Sequence, residues 1–133
     1  MKMRNLVFAA SFGLYLASCT NTEVVEVGNK TSMMVEPVFD AGEVVKGEVI
    51  RAKFEVENTG EYPLVIAEVK GSCSCTVAGK PEDPIAPGES GVITAEVDTE
   101  RTSTGLITKS VRIVANTEPS VTEVAIKATV KNK

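Results

Sequence analysis

Ile50, Ala52, Phe54 and Val56 are apolar, and the residues between and after them, Arg51, Lys53, Glu55 and Glu57, are charged. Successive side chains of a strand point to opposite faces, so this run predicts a strand with one face in a core and one in water. The same period of two returns three times. Ile93, Ala95 and Val97 alternate with Val92, Thr94 and Glu96, and Val124, Ile126, Ala128 and Val130 alternate with Glu123, Lys127 and Lys131. Ile107, Lys109, Val111, Ile113 and Ala115 share one face, with Lys109 near a frayed start. Pro63 to Lys70 reads as a more fully buried strand, Met34 to Phe39 as an earlier one, and Gly42 to Gly47 as a further short piece. Asn58-Thr59-Gly60 carries turn chemistry, and two prolines with two glycines make residues 84 to 91 a loop. No stretch keeps a 3.6-residue period over helical length. The expectation is an all-β fold, an immunoglobulin-like antiparallel β-sandwich of about seven strands, with a barrel as the alternative architecture.

Residues 1–30 follow different rules. Lys2 and Arg4 precede an uncharged apolar run from Leu6 to Leu16. Eleven helical residues span roughly 16 Å, about half of a bilayer core of ~30 Å, which is too short to cross. A basic start, a short apolar stretch and a small-residue end describe a processed export signal. The run closes on Leu16-Ala17-Ser18-Cys19, which resembles the bacterial lipobox. That resemblance implies diacylglycerol on the Cys19 sulfur and cleavage before it, making residues 1–18 a signal peptide and Cys19 a lipidation site. Acylation of the freed amino group would complete an anchor more durable than one chain provides. Thr20, where an aspartate would act as a retention signal, favours onward transport to an outer membrane. Residues 19–30 are polar and without period, a tether. Residues 31–133 form the domain.

Composition narrows the chemistry. There is no Trp and only two Tyr and four Phe, so the core is aliphatic. The formal charge is −4; losing Lys2 and Arg4 with the signal takes the basic residues from 14 to 12 against 18 acidic ones, giving −6. An acidic surface argues against a nucleic-acid partner. There is no His, which excludes imidazole bases, His-built triads and His metal ligands.

Five segments in register carry a further resemblance: Phe39 to Glu48 (FDAGEVVKGE), Phe54 to Gly60 (FEVENTG), Pro63 to Ile66 (PLVI), Ser72 to Thr76 (SCSCT) and Ile85 to Gly91 (IAPGESG). Together they resemble the bacterial domain of unknown function 1573, an immunoglobulin-like module similar to Hydin-type domains, over roughly Met34 to Val130. The resemblance implies that fold and a lipoprotein of a Bacteroides-like bacterium, and no established activity. The family usually reads Cys-Gly-Cys-Thr. Ser74 stands where Gly would permit positive φ, so the backbone here is expected in an ordinary region.

Cys73 and Cys75 are the one constellation with chemistry. In an extended chain their Cα atoms lie roughly 6.5 Å apart on one face, near the upper limit for a disulfide, so a bridge requires local bending. Three readings stand: an oxidised or packed structural pair; a soft-metal site holding Cu(I) or Zn(II), with Met33 and Met34 as conceivable copper thioethers; and a thiol–disulfide redox pair. Zinc's four ligands are not completed by two thiolates, so a second chain or carboxylates would have to contribute. Cys19 is consumed by lipid, leaving an even count of two in an oxidising compartment, which is the arithmetic of an internal bridge. Glu82, Asp83, Glu89, Asp98 and Glu100 are loop carboxylates without calcium-loop spacing, and Thr99 to Gly105 reads as a solvated loop. The expected function is a lipid-anchored, non-catalytic binding or assembly module of the cell envelope, with the membrane reached through Cys19, a protein partner, and no resident cofactor unless copper or zinc occupies the cysteine pair.

Overall fold

The computed structural model describes residues 28–133; the expected signal peptide, Cys19 and most of the expected tether lie outside the described residues. Eight strands occur among the described residues: β1 (Met33–Val35), β2 (Val38–Val45), β3 (Val49–Asn58), β4 (Ile66–Gly71), β5 (Thr76–Gly79), β6 (Ser90–Asp98), β7 (Gly105–Ala115) and β8 (Val121–Lys131). They form two four-stranded sheets, ordered β1-β3-β6-β5 and β2-β8-β7-β4. A single 3-10 turn, Thr99–Arg101, follows β6. The immunoglobulin-like sandwich expected from the alternation is the fold.

The inward positions of that alternation make the core. Ile50, Ala52, Phe54 and Val56 of β3 and Ile93, Ala95 and Val97 of β6 face Val111, Ile113, Val124, Ile126 and Val130 of the other sheet. Cross-strand register keeps each apolar residue beside another, as Phe54 opposite Ile93 and Ala52 opposite Ala95. Phe39 meets Phe54 edge-on, with ring centroids 6.2 Å apart. Lys109 holds its place in the inward series of β7 as a half-buried residue near the strand's start.

Four features depart from the expectation. Met34 to Phe39 is not one strand: Pro37 breaks it, and the chain passes from the first sheet (β1) to the second (β2). β2 then absorbs most of the short piece expected at Gly42 to Gly47, and it runs parallel to β8, so the second sheet is mixed rather than antiparallel. Gly42, at φ 67°, lies in the register shift between Asp40 and Glu43. Pro63 to Lys70 is not a fully buried strand; Leu64 and Ile66 are buried, but β4 is an edge strand whose Glu68 and Lys70 are exposed. β5 was not expected at all.

Every buried side-chain nitrogen and oxygen among the described residues has a hydrogen-bond partner. Asn58, read above as turn chemistry, is completely buried. Its Oδ1 accepts from Thr31 Oγ1 (2.8 Å) and Gly60 N (3.1 Å). Its Nδ2 donates to the carbonyls of Tyr62 (2.7 Å) and Ile85 (2.9 Å). One side chain therefore joins the incoming chain, the β3–β4 connection and the loop before β6. At the opposite end Thr99, expected in a solvated loop, is also buried; its Oγ1 donates to Glu48 O (2.6 Å) and accepts from Gly47 N (2.9 Å). Asn29 and Lys30, on the tether side of the expected boundary, already engage the domain: Asn116 Nδ2 donates to Asn29 O at 3.0 Å, and Lys30 pairs with Glu118.

Candidate functional site

Cys73 and Cys75 occupy the connection between β4 and β5, the edge strands through which the two sheets meet. Gly71 ends β4 because nothing larger fits: a Cβ there would lie 2.6 Å from Thr76 Cβ and 2.8 Å from Thr76 O. Ser72 prolongs the pairing with β7, its N donating to Ser110 O (2.9 Å) and its Oγ accepting from Ser110 N (3.2 Å). The chain then turns: Thr76 N donates to Cys73 O at 3.1 Å, closing a four-residue turn over both cysteines. Asp98 N donates to Cys75 O at 2.9 Å and docks the turn on β6. This bend brings the cysteine Cα atoms to 5.2 Å, inside the usual disulfide range, and the sulfurs sit at bonding distance. No residue other than glycine has positive φ among the described residues, so Ser74 takes an ordinary conformation, as its side chain implied.

The two sulfurs have unequal surroundings. Cys75 is buried at 6% exposure, whereas Cys73 is half-exposed. Thr76 Oγ1 lies 3.5 Å from Cys73 Sγ and 3.9 Å from Cys75 Sγ. The residue that sequence reading missed is Arg101. Its Nη1 donates to Ser74 O at 2.8 Å and its Nη2 to Ser74 Oγ at 3.2 Å, so a guanidinium grips the residue between the cysteines. Twenty-seven positions separate the two, and nothing local in the sequence signals the contact. Four ion pairs occur among the described residues, Lys30–Glu118, Arg51–Glu96, Lys131–Glu43 and Lys133–Glu100; Arg101 is in none of them.

The structure does not bring the other candidates to this turn. Met33 and Met34 lie on β1, at the opposite edge of the first sheet and level with Asn58 and Glu57, the far end of β3 from the cysteines. No group of three or more Cys, Asp or Glu side chains converges as a metal site among the described residues, so a thiolate-bound ion would take its remaining ligands from outside them. Asp98 is engaged locally, its side chain accepting from Glu100 N at 3.0 Å. Beside the turn, on the outer face of the second sheet, Lys70, Ser72, Ser110, Arg112 and Glu123 line a shallow open depression of about 130 Å³. No helix among the described residues is long and apolar enough to cross a membrane.

The eight described strands form an immunoglobulin-like sandwich that carries a cysteine turn at one end. Residues 32–130 match the family described as protein of unknown function DUF1573, and the chain belongs to that family. Among solved structures, a protein of unknown function from Porphyromonas gingivalis W83 is similar at TM-score 0.68 and 22% identity, over 82% of this chain and 51% of that one. The PapD-like domain 7 of human CEP192 is similar at TM-score 0.56 and 10% identity, over 96% of this chain and 99% of that one. The VesB protease of Vibrio cholerae is similar at TM-score 0.58 and 12% identity, over 74% of this chain and 31% of that one. At these identities the likeness is one of fold. The chain spans about half the length of the Porphyromonas protein and under a third of the protease. Among curated proteins none matches the sequence.

Proposed function

We propose that this protein is a lipid-anchored, non-catalytic binding or assembly module of the bacterial cell envelope, held through Cys19 in the outer membrane and engaging a protein partner. The observation that supports this reading is the polarity of the sandwich. The chain enters at Thr31, beside Asn58 and Asn116. The cysteine turn and Arg101 sit at the other end, level with Asp98 and Val49. Nine residue steps of β3 separate these ends, roughly 30 Å at ~3.3 Å per residue. A tether from a lipidated Cys19 would hold the Asn58 end toward the bilayer and present the cysteine end outward. The two most exposed large apolar side chains among the described residues, Leu106 and Val77, lie toward that outer end. Anchoring raises the effective concentration of whatever binds there.

Site-specific photo-crosslinking in intact cells tests the reading. A crosslinker at Thr104 or Ser74 is expected to capture a discrete envelope partner, and one at Glu118 to capture phospholipid or nothing. Capture of the same partner from Glu118 and not from the outer end would overturn the assignment of the binding end.

A further inference from the structure

A disulfide inside a tight turn needs no guanidinium to hold its backbone, because the Thr76 N to Cys73 O bond already closes it. Arg101 nevertheless commits both terminal nitrogens to Ser74, with no carboxylate partner among the described residues. The other charges nearby are accounted for. Glu96 of β6 is paired with Arg51 on the outer face of the first sheet, Asp98 caps the 3-10 turn, and Glu100 meets Lys133 at 3.9 Å. Lys70 of β4 and Arg112 of β7 are register partners beside the turn and add positive charge, with Glu123 of β8 opposite Arg112. Arg101 therefore sets a cation against the residue between the two cysteines, on a chain whose net charge is negative. Positive charge next to sulfur favours thiolate over thiol, and thiolate is both the attacking and the leaving species in disulfide exchange.

We propose that the Cys73–Cys75 pair is an exchangeable disulfide that reacts with external thiols, with Cys73 as the sulfur attacked and Arg101 favouring the Cys73 thiolate when the mixed disulfide is resolved. Burial decides the direction. Cys73 is partly exposed, while Cys75 is buried in the sandwich, so the incoming thiolate is assigned to Cys73. The incoming thiolate forms a new S–S bond to Cys73 Sγ, the Cys73–Cys75 bond breaks, and its electron pair leaves on Cys75 Sγ. Thr76 Oγ1, within reach of both sulfurs, donates a hydrogen bond to that thiolate. A second thiolate then attacks the substrate sulfur of the mixed disulfide and releases Cys73 as thiolate. Two substrate thiols are thereby oxidised to one disulfide and the protein pair is reduced by two electrons, with the protons exchanged through solvent. The reverse sequence lets the reduced pair open a substrate disulfide. This activity is independent of the anchoring and partner reading, since it rests on the turn alone.

The test uses the full chain extracted from cells in mild detergent. The oxidised protein is mixed with reduced glutathione, quenched in acid and mapped by peptide mass spectrometry. The adduct is expected on Cys73; an adduct on Cys75, or divided evenly, overturns the proposal. Rates of thiol labelling are then followed against pH. Cys75→Ser, which leaves Cys73, should react at least about tenfold faster than Cys73→Ser, which leaves the buried sulfur. Adding Arg101→Gln to Cys75→Ser should move the midpoint of the rate profile upward by about one pH unit, a tenfold loss of thiolate below it, and Arg101→Lys should restore most of that. Superimposed profiles with and without the Arg101→Gln change overturn the role of the guanidinium. Circular dichroism keeps a folding failure separate. Should Arg101→Gln lose its β spectrum, the profile of Cys75→Ser at rising salt replaces it, with screening expected to raise the midpoint and a salt-independent midpoint counting against the proposal.

Discussion

Replacing Asn58 by Ala removes a side chain that is 0% exposed and makes four hydrogen bonds. The cost can be worked from the partners left behind. Ile85 O keeps a second donor, Leu64 N at 2.9 Å, so its loss is partial. Tyr62 is exposed, and its carbonyl can rehydrate at little cost. Thr31 Oγ1 is left buried, and Gly60 N loses its Asx partner. A net bond contributes about 1 kcal/mol and an orphaned buried group costs about 1–3 kcal/mol, so the total comes to roughly 3–5 kcal/mol. Against a domain stability of about 5–15 kcal/mol that is a large fraction, and at about 4–8 °C per kcal/mol it lowers Tm by at least about 12 °C. With no Trp in the chain, urea unfolding is followed by far-ultraviolet circular dichroism. Asn58→Asp tests the direction of the bonds, because it turns an oxygen toward the carbonyls of Tyr62 and Ile85 and should destabilise at least as much. A loss under about 1 kcal/mol in both variants would refute the reasoning and return Asn58 to the status of an ordinary turn residue.

Phe54→Ala vacates the largest side chain of the core and its edge-on contact with Phe39, and should cost about 3–5 kcal/mol in the same assay; an unchanged Tm would contradict the inward register of β3. Gly71→Ala drives a methyl group into the backbone and side chain of Thr76, so a loss of about 1–3 kcal/mol is expected, and Thr76→Ser should recover part of it by deleting the methyl at 2.7 Å. Recovery absent from the double variant would show that the contacts with Cβ and the carbonyl of residue 76 set the cost. Reducing Cys73–Cys75 opens a ring of only three residues, for which the chain-entropy relation gives about 1.6 kcal/mol. Mild thiol should therefore leave the β spectrum intact and lower Tm by roughly 6–13 °C, whereas unfolding on reduction would make the bridge a structural necessity.

The sandwich was legible because a period of two survives in β3, β6, β7 and β8, each long enough for alternation to show against noise. β5 was not, since four residues containing one glycine are too few for a pattern, and only pairing with Ala95 and its neighbours makes them a strand. The parallel β2–β8 pairing joins residues more than 80 positions apart, a choice made by the whole sandwich and not by local propensity. Asn58 makes the turn contact its type implies, accepting from Gly60 N, but its burial and its other partners were not legible, and Thr99 was read as solvated. Both belong to residue types that favour turns, and burial lets Asn58 join the incoming chain to two loops and Thr99 hold the β2–β3 turn. Within the site, the two cysteines announced themselves by spacing, while Arg101 reaches Ser74 only because the 3-10 turn after β6 folds beside the β4–β5 connection.

Tethering of this domain to the envelope by lipid on Cys19 is tested most directly by metabolic labelling with a palmitate analogue, comparing the unaltered protein with Cys19→Ser. Label and membrane-fraction recovery are expected for the unaltered chain, and for Cys19→Ser an unlabelled chain, either released or held as precursor. Label persisting on Cys19→Ser, or an unaltered chain that is exported without label, would contradict lipid anchoring at Cys19.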